Sequence, residues 1–240
     1  MKKYSSVLAL ASRATFYKIM LVLFFMAAVE VAVFYVSLPN PDNLGTFEDA
    51  IDESHIVWIC AAAFAVISTI LAVSLSDHGG SCSSYTIKRL SIDEKSFAAL
   101  CSLYNICCFI LLTAIQVLTA LILCYLYIRR NTAEPYSPVI FLAFYRSGFL
   151  HGLLPLGDLF GLIRNIIIFA CLGVVCAYPA VRQFRNWQYM VGAILAGCIG
   201  LSFPRSYGDF GVFQGFIVPI VCILIVAIRH ITKGADTDEA

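Results

Sequence analysis

Long apolar runs alternate with short polar segments along the whole chain, and the lengths of the runs decide its class. From Ile19 to Leu38 a single charge, Glu30, interrupts the hydrophobic positions. At 1.5 Å per residue, about 20 such residues make a helix that crosses a hydrocarbon core of ~30 Å. Stretches 18–38, 55–75, 103–127, 159–178, 187–203 and 211–228 meet or approach that length. The pattern predicts an all-α polytopic membrane protein with six transmembrane helices, a single transmembrane domain over residues 1–240.

The polar segments between the runs are equally informative. In 1–17, Tyr4, Val7, Leu8 and Ala11 recur at helical spacing while Lys2, Lys3 and Arg13 remain for headgroups, which predicts an amino-terminal interfacial helix. A cleaved signal peptide is the rival. The run after it is too long for a signal core and lacks a small-x-small cleavage site. Pro39-Asn40-Pro41 ends the first span in a turn, and an acidic stretch with Asp42, Glu48, Asp49, Asp52 and Glu53 follows. From Ser91 the helical pattern continues almost unbroken to Ile128. Counted from Ala98 alone it is about 46 Å long, so its first turns must leave the bilayer or bend near Ser102–Asn105. Residues 129–157 form an outer segment. Its apolar part, Val139–Leu156, is broken by Arg146, Ser147, Gly148, His151, Gly152 and Pro155, so it is expected to re-enter or lie at the interface rather than cross.

Charge sets the orientation. With six spans and both termini cytoplasmic, eleven of the sixteen Lys and Arg fall inside and five outside; a seventh span through Val139–Leu156 gives nine against six. Six spans satisfy the positive-inside rule better. Overall composition agrees, since 60% of residues are hydrophobic and 13% charged, about half the charged share of a soluble domain. A net charge of +1 gives no reason to expect a nucleic-acid partner. Of ten cysteines, eight lie in apolar runs, Cys82 and Cys101 fall in the 76–102 loop, and no CxxC occurs, so packing is expected rather than disulfides or zinc.

Three intramembrane polar residues are candidates for function: Glu30, Gln116 and Arg164. Glu30 lies about eight residues, on the order of 12 Å, below the outer end of its span. A lone carboxylate there costs several kcal/mol unless paired or neutralised. Arg164 enters its span from the same side, so Glu30 is expected to pair with it, or to meet it through Asn165 or Gln116. A proton or cation site is the functional alternative. His55 and Trp58 read as interface anchors, and Arg146 and His151 as headgroup contacts. Asp77-His78 offers two ligands without partners, so no metal and no cofactor are expected. Ser147 has no base placed to activate it, and no GxxxxGK[ST] occurs, so no catalytic residue and no nucleotide hydrolysis are expected of this chain.

The longest interior polar segment is 76–102. It carries Lys88, Arg89 and Lys95, and Ser91-Ile92-Asp93-Glu94 fits a capping box that starts a helix. An amphipathic basic start, two spans around an outer turn, a cytoplasmic loop reading Tyr85-Thr86-Ile87-Lys88-Arg89-Leu90-Ser91, a long third span and three more resemble the six-span permease subunits of the type-2 ATP-binding-cassette transporters. The bulky outer segment follows span three here, where that family places its own between spans five and six. The resemblance implies a multi-pass subunit of a bacterial inner membrane, surrounded by lipid and working as a homo- or heterodimer with a second permease chain. It also implies a coupling loop at 76–102 that docks on a separate ATPase, with Lys88, Arg89, Asp93, Glu94 and Lys95 at or beside the contact. The rival expectation is a proton- or ion-coupled carrier or channel that uses Glu30, Gln116 and Arg164.

Overall fold

The computed structural model describes residues 2–38, 47–74, 94–130, 142, 145–155, 157–181 and 221. Among them there is no strand. The helices described in full are, in chain order, α1 (Lys2–Ser37), α2 (Phe47–Glu53), α3 (Ile56–Ser74), α4 (Glu94–Arg130), α5 (Gly148–Leu153) and α6 (Leu159–Val181). Four of them, through Thr15–Ser37, Ile56–Val73, Ser96–Arg130 and Leu159–Ala177, are long and apolar enough to cross a membrane. The expected spans at 187–203 and 211–228, apart from Val221, and most of the 76–102 loop lie outside the described residues.

The helix α1 does not divide at Lys18. The expected interfacial segment and the first span form one helix of 36 residues, about 54 Å long. No Gly or Pro interrupts 2–37, so nothing in the sequence stops the turn between the polar and apolar parts. The 37 residues of α4 likewise continue for about 55 Å. One side-chain bond shows how these two rods lie. Thr15 of α1 and Tyr104 of α4 share a hydroxyl–hydroxyl bond of 2.6 Å, and further along Gln116 of α4 reaches Glu30 of α1. Residue numbers rise together, so α1 and α4 are parallel. Ahead of the Thr15–Tyr104 bond, residues 2–14 extend about 20 Å and residues 94–103 about 15 Å, on the same side.

The four long helices make a square. Going round it, α1 packs on α3, α3 on α6, α6 on α4 and α4 on α1, while α3 and α4 touch only lightly across the middle. The centre is aromatic: Phe64 of α3 stacks on Phe109 of α4, with ring centroids 6.0 Å apart, and on Phe169 of α6, at 6.5 Å. Outward faces stay apolar. Phe16, Tyr17, Phe24 and Phe25 of α1 and Leu159, Phe160, Ile163 and Ile166 of α6 are exposed, and only 28% of the apolar window of α1 is buried. An apolar surface of that extent suits lipid far better than water.

The acidic stretch forms α2, in which Phe47, Ala50 and Ile51 stand at helical spacing. All three are buried, and Phe47 sits edge-on between Phe34 and Tyr127, at 5.9 and 5.3 Å. His55, with φ +52, turns the chain from α2 into α3, and both it and Trp58 are exposed. The described part of the apolar outer segment, 142 and 145–155, carries a short helix. Within it α5 has six residues, about 9 Å of helix, and Gly157 at φ +82 makes the turn that leads into α6.

Candidate functional site

Glu30 and Gln116 meet inside the square. Gln116 Nε2 donates to Glu30 Oε2 at 2.9 Å. Glu30 is wholly buried, Gln116 is 1% exposed, and the Oε1 atom of each has no hydrogen-bond partner. Cys60 of α3, also fully buried, lies within electrostatic reach of the carboxyl. A carboxyl and an amide thus meet from two helices, with a buried thiol of a third in electrostatic reach. The group can hold a proton, donate or accept hydrogen bonds, and tie α1 to α4. It contains no nucleophile paired with a base.

Arg164 is not the partner of Glu30. Its Nη2 donates to the carbonyl of Gly152 at 3.4 Å, and its Nε and Nη2 both donate to Asn165 Oδ1 at 3.3 Å. The expected pairing fails for a packing reason. α6 runs antiparallel to α4, so Arg164 comes close to the depth of Gln116, yet α1 and α6 hold diagonal corners of the square. Depth is shared; direction is not.

What Arg164 and Asn165 do instead is close the outer segment. With its Oδ1 held by Arg164, the Asn165 amide points its Nδ2 at the carbonyls of Gly152, 3.0 Å, and Leu153, 3.3 Å. These are carbonyls of the last turn of α5, which no intrahelical donor reaches. At the other end Ser147 caps α5, its hydroxyl accepting from the Leu150 amide at 3.5 Å. Ser147 is buried in that duty. Phe149, Leu150 and Leu153 are buried beneath, and His151 meets Tyr145 edge-on at 5.8 Å. The broken backbone around α5 is thereby covered by protein, as re-entry into a membrane would require. Asn165 belongs among the residues that matter, although the sequence offered it only as a bridge to Glu30; a polar residue one turn inside a span, facing a Gly-Pro-rich segment, was the available signal.

Of the loop residues, Lys88, Arg89 and Asp93 lie outside the described residues. Glu94 and Lys95 open the first turn of α4. Among the described residues no group of three or more His, Cys, Asp or Glu could hold a metal ion. Of the cysteines, Cys60, Cys101, Cys108, Cys124 and Cys176 are buried and carry no disulfide. No protein-family model matches the chain, and no curated protein or solved structure matches it.

Proposed function

We propose that this chain is a permease-like membrane subunit of an ATP-driven transporter, worked through its 76–102 loop by a separate ATPase and paired with a second permease chain. The observation that carries the reading is the length and placement of α4. It is one rod from Glu94, beside the basic Lys88-Arg89 pair, to Arg130. On the way it holds α1 through Tyr104 and Gln116 and α6 through Asn105. A displacement at its loop end is carried into two seams at once. In this reading the α1 and α4 overhangs project into the cytoplasm, both termini are cytoplasmic, and lipid of an inner membrane covers the outer faces. The chain supplies a change of packing driven by a partner's differential contacts, not covalent chemistry.

The test is recovery of an ATPase with the tagged chain from detergent. Reversing Lys88 and Arg89 to Glu is expected to cut that recovery by about tenfold or more, equivalent to ~1.4 kcal/mol. Transport by the purified chain alone, or labelling of a single-cysteine Cys82 variant from outside intact cells by an impermeant thiol reagent, overturns the reading. A second reading, an ion-coupled carrier, is favoured by the enclosed Glu30–Gln116 pair. It expects Glu30→Gln to abolish transport while Lys88 and Arg89 changes do little. The ATPase reading expects the reverse.

A further inference from the structure

We propose that Glu30 and Gln116 bind one exchangeable proton between them, and that this proton latches α1 to α4. The inference rests on neither transport reading, and its test measures no transport.

The argument is one of hydrogen-bond valence. Gln116 Nε2 already donates to Glu30 Oε2. That leaves Glu30 Oε1 and Gln116 Oε1, both enclosed and both without a partner. With the carboxyl ionised the two orphans are acceptors, and neither can satisfy the other. A proton on Glu30 Oε1 turns that atom into a donor, and a small side-chain rotation then brings its O–H to the Gln116 carbonyl. The result is a reciprocal acid–amide pair in which one proton answers both orphans. A metal cation fits poorly. Hard cations take six or more oxygen ligands, whereas this pair has two oxygens free and no metal-ligating cluster stands among the described residues. Arg164, the one cation of α6 within its span window, is engaged with Asn165 and Gly152.

Among the described residues, few other titrating candidates stand near Glu30. From α3 Cys60 lies within its electrostatic reach, and from α4 its partner is the neutral Gln116. Asp49 and Glu53 of α2 do not face it: both are exposed, and α2 meets α1 further along, where Phe47 packs on Phe34. When the proton leaves, a bare charge is enclosed by apolar neighbours. It is relieved only by water entering the seam, and α1 then parts from α4.

The experiment uses the full chain reconstituted in lipid and follows the carbonyl band of a protonated carboxyl by infrared difference spectroscopy across pH. The wild type is expected to show a band that Glu30→Gln removes, that Gln116→Met shifts, and that disappears reversibly as pH rises. In parallel the wild-type melting temperature is expected to fall over the same pH interval, while that of Glu30→Gln, which keeps a neutral hydrogen-bonding partner for Gln116, stays level. Two results overturn the proposal. One is the absence of any band assignable to Glu30, as an ionised Glu30 bridged to Gln116 by water would give. The other is a band of constant intensity at every pH at which the protein stays folded. Should Glu30→Gln fail to fold, the wild type and Gln116→Met carry the same decision, because both retain the acid.

Discussion

Asn165→Leu is expected to lower the unfolding midpoint of the purified protein more than any other single change in the outer segment, by about 2 kcal/mol or more at roughly 1–3 kcal/mol per orphaned carbonyl. The substitution keeps the branched outline of the side chain and removes the amide donor that Asn165 gives to Gly152 and Leu153. Among the described residues, no other donor reaches the Leu153 carbonyl, which lies in the last turn of α5 where no intrahelical partner exists. Gly152 retains the longer bond from Arg164 Nη2 at 3.4 Å, so Arg164→Ala is expected to cost less than Asn165→Leu. Denaturant titration in detergent ranks the two, and equal losses would contradict the assignment of Asn165 as the closing residue. A protease or thiol probe directed at 147–155 should find the segment more accessible in the leucine variant.

Gly173→Ala carries the second large effect, on the seam between α4 and α6. A methyl group at this position would stand 2.4 Å from Ile106 Cγ1 and 3.0 Å from the backbone oxygen of Ser102. The close approach is what lets Asn105 Nδ2 donate to the Gly173 carbonyl at 3.2 Å. Ile106 can turn aside; the Ser102 carbonyl cannot. Overpacking of this kind costs about 1–3 kcal/mol. Adding Ile106→Ala in the Gly173→Ala background is expected to restore part of the loss, so that the two changes together cost less than their sum. Simple additivity in a double-mutant cycle would place the clash elsewhere.

The residues also show what a linear reading can and cannot reach. Hydropathy located the apolar windows of α1, α3, α4 and α6, because span length and apolar content are local properties of the chain. It marked a boundary at Lys18 that the helix ignores, because polarity changes the surroundings of a helix without ending it. The depth of Glu30, Gln116 and Arg164 was legible for the same reason that the spans were. Their facing directions were not, since these depend on which helices are neighbours, and the square puts Gln116 beside Glu30 and Arg164 across from it. Asn165 was misassigned through that same gap. The α2 helix was overlooked because its acids dominated its composition, although Phe47, Ala50 and Ile51 carried the period. Within Val139–Leu156 the six-residue α5, with its two capped ends, shows how the chain accommodates the breaks read there.

The bond from Gln116 to Glu30 joins residues 86 positions apart, and that separation has a consequence for biosynthesis. At about 5–20 residues per second on the ribosome, Glu30 is made roughly 4–17 s before its amide partner exists. For that interval the first helix must be handed to the bilayer with an unmatched acid in its middle. Either the insertion machinery shelters the nascent segment, or the acid enters uncharged and meets its glutamine later.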